Sequence, residues 1–105
     1  MNNEYSITIA TCPDKDTAKS IAKLLIDSRL AACVQMFPIE SMYIWQDKAC
    51  DESEIMLLIK SKTELFGKIS ALIKTNHAYE VPEIIQVPIT VGLPEYLNWI
   101  DGWVK

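Results

Sequence analysis

The chain has 105 residues, half of them hydrophobic, with ten Lys and Arg against fourteen Asp and Glu for a net charge of −4; this is the composition of one globular domain near the lower end of the size that holds a core. An acidic chain whose one arginine is Arg29 lacks the clustered basic residues that grip phosphate backbones, so nucleic acid is excluded and a cationic ligand fits better. No apolar run approaches the roughly 18–20 residues of a membrane span, and the polar start Met1-Asn2-Asn3-Glu4 carries no signal-peptide pattern.

Tyr5, Ile7 and Ile9 alternate with Ser6, Thr8 and Ala10, the period of a half-buried first strand, which Pro13-Asp14 stops. A helix follows, with Ala18, Ile21, Ala22 and Leu25 inward, Asp14 and Asp16 at its start and Arg29 at its end. Ala32 to Trp45 reads as a long second strand interrupted near Pro38. The polar run 46–52 reads as a loop, and Ile55 to Ile59 as the third strand. Thr63 is the expected N-cap of a second helix, with Leu65, Ile69, Leu72 and Ile73 inward and Asn76-His77-Ala78 at its end. Ile85, Val87, Ile89 and Val91 alternate with Gln86, Pro88 and Thr90 in a fourth strand. Gly92 breaks the chain before a short terminal helix from Glu95 to Trp103.

The order β-α-β-β-α-β is the split βαβ pattern of a ferredoxin-like α+β domain, residues 1–105, with an antiparallel sheet and both helices on one face. Right-handed crossovers put strand 1 beside strand 3, with strand 4 on the outer side of strand 1. Pro88 agrees, since proline inside a strand belongs at an edge or a bulge. A continuous strand over 32–45 spans roughly 45 Å at about 3.3 Å per residue, against a domain diameter on the order of 35 Å. The hairpin must therefore bend or project. Strand 3 is also apolar on both faces, with Ile55, Leu57 and Ile59 on one and Met56 and Leu58 on the other. Helices cover one of them, so assembly through the sheet is expected.

Strand 4 begins next to the end of strand 1, which brings His77, Tyr79 and Glu80 near Cys12. Imidazole, thiolate and carboxylate together suit copper or zinc, so His77 and Cys12 are candidate metal ligands. The alternative for His77 is a cap on the last carbonyls of helix 2. Cys33 reads as a small core residue and Cys50 as an exposed loop residue. An odd, widely spaced set of three cysteines argues for a reducing compartment, the cytoplasm, over a disulfide framework. Gly67, Gly92 and Gly102 are isolated, so no phosphate loop is present, and no acyl-transfer motif surrounds Cys12 and His77. No enzymatic turnover is expected.

Six segments, in order from Ile7 to Trp99, resemble the CutA divalent-cation tolerance family. They are Thr11-Cys12-Pro13-Asp14, Arg29-Leu30-Ala31-Ala32-Cys33-Val34, Tyr43-Ile44-Trp45, Ser53-Glu54-Ile55-Met56-Leu57-Leu58-Ile59-Lys60, His77-Ala78-Tyr79-Glu80-Val81-Pro82-Glu83-Ile84 and Tyr96-Leu97-Asn98-Trp99. Ala78 stands where family members commonly have proline. The resemblance implies a compact, very stable homotrimer with sheets around a threefold axis and a link to tolerance of copper and other divalent cations. It also implies an inter-subunit cleft formed by Trp45, Lys60, Tyr79, Glu80 and Glu83. Some family members bind copper through a cysteine at the end of the first strand, where this chain has Ala10, with Cys12 two residues on. Two readings follow. One is a non-enzymatic trimer that weakly binds Cu²⁺, another divalent cation or a small ligand. The other is a trimer resembling the PII signalling proteins, or an anchoring scaffold, whose metal binding is incidental.

Overall fold

The computed structural model describes residues 3–105. Its elements are β1 (Tyr5–Cys12), α1 (Lys15–Asp27), β2 (Cys33–Trp45), β3 (Lys48–Lys62), a 3₁₀ turn (Thr63–Leu65) leading into α2 (Phe66–Thr75), β4 (Ile84–Pro88) and α3 (Pro94–Trp103). The sheet order is β2-β3-β1-β4 with every neighbouring pair antiparallel, the ferredoxin-like arrangement. Among the described residues no helix is long and apolar enough to cross a membrane.

α1 starts where Asp14 Oδ1 accepts the Thr17 backbone N–H at 2.7 Å, and that bond holds the Asp14 carboxyl below its usual range. The helix ends two residues before Arg29, which takes a left-handed φ of 62°. The Leu30 and Ala31 N–H groups fold back onto the Leu25 carbonyl, at 3.0 and 3.2 Å. Arg29 then fastens α3: its Nε donates to the Trp103 carbonyl at 2.9 Å and its guanidinium lies 4.0 Å above the Trp103 ring. Such a contact adds about 0.5–1 kcal/mol at an exposed site.

The two faces of the sheet are unlike. Ser6, Thr8, Ala10 and Cys12 of β1 and Leu57, Ile59 and Ser61 of β3 share the covered face and are buried. The small residues of β1 leave room for Ile21 and Leu25 of α1 and Ile69 and Ile73 of α2, all fully buried. The isoleucines of β1 point the other way. Ile7 and Ile9 lie on the open face with Met56 and Leu58 opposite them or diagonal to them, flanked by Phe37 on β2 and by Ile85 and Val87 on β4. Phe37, Ile85 and Val87 are 41%, 50% and 42% exposed, so a large apolar surface faces outward in the single chain.

Several local expectations are corrected. β2 runs unbroken through Pro38, which pairs with Ile55, because β2 is the sheet edge and can spare the proline's missing donor on its solvent side. The segment 48–52 is strand, not loop. Gln46 and Asp47 both adopt left-handed φ, 50° and 63°, making a two-residue turn that returns the chain directly into pairing, Trp45 with Lys48. Its polar sequence reflects a ribbon wetted on both sides. Thr63 caps no helix; its hydroxyl donates to the Asn3 carbonyl and meets the Ser6 hydroxyl, tying the end of β3 to the start of β1. β4 stops at Pro88, since β1 begins at Tyr5, whose carbonyl takes the Ile89 N–H at 2.9 Å, and Val91 is exposed. The unbroken hairpin projects, stretching the molecule to 44 × 28 × 22 Å. Cys33 and Cys50 both lie half-buried on strands, Cys33 on the open face opposite Lys60 rather than in the core.

The turn yields a test. Asp47→Gly removes a side chain from a left-handed position and should raise stability by up to about 1 kcal/mol in a denaturant titration. A loss of stability would show that the turn is not of this form.

Candidate functional site

β1 ends at Cys12, opposite Ile55, so the part of the ribbon beyond Ile55 has no strand on that edge. The segment after α2 fills the space. His77 makes it turn: its Nε2 is 2.6 Å from the Thr11 carbonyl, and its Nδ1 accepts the Tyr79 N–H at 3.0 Å. The ring is therefore in the tautomer that donates from Nε2. The Tyr79 ring packs back on the imidazole with centroids 4.8 Å apart.

Between this segment and the ribbon lies a cavity of about 880 Å³. Thr11 forms part of its wall, with Tyr43, Trp45, Glu52 and Glu54 from the ribbon and Tyr79, Glu80 and Glu83 from the segment. Glu40 also lines it, making five glutamates, and no lysine, arginine or histidine does. The Glu52 Oε1 accepts the Tyr43 hydroxyl at 2.8 Å, and Glu40 Oε2 accepts that of Ser53 at 2.8 Å. The bond to Glu52, with burial and the glutamate's charge behind it, raises the Tyr43 phenol. Glu54 is only 6% exposed. The Tyr79 hydroxyl is buried and meets no partner in hydrogen-bond geometry. Burial, then the Glu54 and Glu52 carboxylates, push that phenol up to about 12, although Glu54 does not meet it in hydrogen-bond geometry.

Four of the five expected cleft residues, Trp45, Tyr79, Glu80 and Glu83, thus come together. Lys60 does not join them; it lies on the open face of the sheet and donates to Gln35 Oε1 at 2.7 Å. His77 is fastened to the backbone one residue from Cys12, as the strand order predicts. As arranged, this pair does not fit a metal. Both imidazole nitrogens are engaged, and Cys12 is fully buried in the core. Burial first, then the Asp14 and Glu54 charges, push its thiol up to about 11, so it is not a thiolate at neutral pH. Among the described residues no group of three or more His, Cys, Asp or Glu side chains converges on a metal position. Tyr43, Glu40, Glu52 and Glu54 escape a reading in which 46–52 is loop. Taking Gln46-Asp47 as a two-residue turn pairs Ser41 with Glu52 and Ile39 with Glu54 and exposes the cluster.

The profile of the CutA1 divalent ion tolerance protein family matches residues 6–102. The chain belongs to that family. It is 41% identical over 95 residues to the divalent-cation tolerance protein CutA of Thermus thermophilus, covering 90% of this chain and 92% of that one. The CutA homolog of Danio rerio is 40% identical over 97 residues, covering 91% of this chain, which spans 65% of the longer fish protein. Among solved structures, that of the periplasmic divalent cation tolerance protein CutA from Archaeoglobus fulgidus superposes with a TM-score of 0.94. It is 37% identical and covers 96% of this chain and 99% of that one. The family therefore fixes the fold and a connection to divalent-cation tolerance.

The buried thiol sets the alkaline behaviour. A folded-state pKa near 11 against an ordinary value of 9.0 means that the unfolded chain loses this proton first. The thiol's contribution to stability is whole below pH 9 and is lost as pH climbs toward 11. Cys12→Ala should flatten the early part of that decline in unfolding midpoints measured against pH; an unaltered slope would place the loss elsewhere.

Proposed function

We propose that the protein is a non-enzymatic homotrimer that takes part in divalent-cation tolerance by binding a divalent metal or another small cationic ligand in clefts between its subunits. The observation that carries this reading is the cavity with five glutamates and no basic side chain in its wall. The outward apolar face of the sheet supports assembly, and family membership supports the link to divalent cations. The three free cysteines support a reducing location such as the cytoplasm; the Archaeoglobus relative is described as periplasmic.

Copper outcompetes other first-row divalent ions at nitrogen and sulfur ligands. A copper ion at His77 and Cys12 requires the imidazole to release Thr11 or Tyr79 and the thiol to ionise, so binding there is weak, micromolar at best. The engagement of both His77 nitrogens favours a second reading, a PII-like signalling or anchoring trimer in which metal binding is incidental.

Calorimetric titration of the reduced protein with Cu²⁺, Zn²⁺ and Mg²⁺ decides between them. The order Cu²⁺, Zn²⁺, Mg²⁺, with copper binding lost in His77→Ala, supports a metal role at that site. Loss in His77→Ala with little change in Cys12→Ser leaves a histidine–carboxylate site, and unchanged binding in His77→Ala moves the weight to the scaffold.

Assembly has its own test. Leu58→Lys puts a charge on the open face, and an unpaired charge buried in an interface costs several kcal/mol. The variant should fold and run as a monomer in sedimentation, while Leu57→Lys, on the helix-covered face, should not fold at all. A folded, trimeric Leu58→Lys protein would refute this packing.

A further inference from the structure

We propose that residues 77–83 form a hinged strap along one side of the cavity, and that His77 is the latch that holds it shut. The inference goes beyond the reading of the cavity as a ligand cleft and stands whether or not a ligand enters it.

Both ends of the strap are fixed. Asn76 closes α2, with its N–H on the Ile73 carbonyl at 3.1 Å and its Nδ2 on the Leu72 carbonyl at 2.8 Å. Ile84, at the other end, is paired with Ala10 in the sheet. Between them, among the described residues, the Tyr79 N–H is the one backbone group that is hydrogen-bonded, and its acceptor is the His77 ring. No backbone hydrogen bond joins the strap to the ribbon across the cavity. Ala78, Glu80, Val81 and Glu83 are exposed, Val81 by 65%. A stretch with few buried contacts and no backbone ladder lies at the low end of local stability and opens without the rest of the fold.

One side chain keeps it down. His77 Nε2 donates to the carbonyl of Thr11, the next-to-last residue of β1. Nδ1 accepts the N–H two residues on, the bond that Asn or Asp makes in an Asx turn. The first bond ties the strap to the sheet. The second folds it so that Tyr79, Glu80 and Glu83 make one wall of the cavity. Because a single ring carries both bonds, its loss releases that wall as a unit. A ligand that takes either nitrogen competes with closure, so occupying His77 and closing the strap oppose each other. The alternative fastener is the Tyr79 hydroxyl, which lies beside Glu54 but short of hydrogen-bond geometry.

The experiment is native-state proteolysis of the full chain in its assembled state with a glutamate-specific protease. Cleavage after Glu80 or Glu83 is followed by mass spectrometry, and each variant is normalised to its own denatured chain. The wild-type rate should stay flat as urea is added below the unfolding transition, since this opening exposes little surface. His77→Ala should raise it at least about tenfold, the effect of removing a hydrogen bond from the closed state. Two further variants divide the ring. The His77→Gln amide can reach Thr11 as Nε2 does and should stay within about threefold of wild type, whereas His77→Asn, too short for Thr11, should approach His77→Ala. Tyr79→Phe, which removes the hydroxyl alone, should leave the rate unchanged. Overturning results are no strap cleavage before global unfolding, a rate that climbs with urea alongside it, or an unchanged rate in His77→Ala. Tyr79→Phe opening the strap as far as His77→Ala would make the phenol the latch and also overturn the proposal. Should His77→Ala not fold, the Gln and Asn variants decide alone, and equal rates in the two overturn it.

Discussion

A four-stranded sheet with helices on one side has a second side to dispose of, and here that side is apolar. Ile7, Ile9, Phe37, Met56, Leu58, Ile85 and Val87 face away from the helices. Each such side chain gains about 1.5–3 kcal/mol when it passes from water into a packed interior. The helix-covered core has already taken what the single chain provides, including Leu57 and Ile59 on the same strand as Met56 and Leu58. Placing the large residues of β1 outward and its Ser6, Thr8 and Ala10 inward lets the helices sit close. It also leaves the other face apolar and open, which the proposed assembly covers with further copies of the chain.

The same constraint explains the ribbon and the cavity. β2 and β3 are longer than β1 and continue past its end, carrying polar residues because both sides of the ribbon are wet in the single chain. Where β1 gives out, the His77 clip swings the next segment across the unpaired edge, and the gap between them is the acidic site. Sheet and cleft are thus one design: the position of the carboxylates follows from how far the hairpin outruns its neighbour.

Much of this was legible in the residues. Alternation in β1 and β4, the inward stripe of α1 and the split βαβ order led to the observed strand order, and antiparallel pairing of β4 with β1 brought His77 to Thr11. The hairpin was not. Gln46-Asp47 lacks the glycine that usually announces a left-handed turn, so a polar strand read as loop, and Glu52 with it. Pro38 read as a break because a sequence does not show which side of an edge strand its missing N–H faces. The protonation of Cys12 and the engagement of His77 on both nitrogens depend on packing and hydrogen bonds that spacing alone does not contain.

The central claim is that the open face is buried against other copies of this chain, and the molar mass of the protein in dilute solution tests it most directly. Light scattering at micromolar concentration should give roughly 36 kDa, three times the 11.9 kDa chain, and hold that value on dilution. A stable species near 12 kDa, soluble with Phe37, Ile85 and Val87 in water, would contradict it.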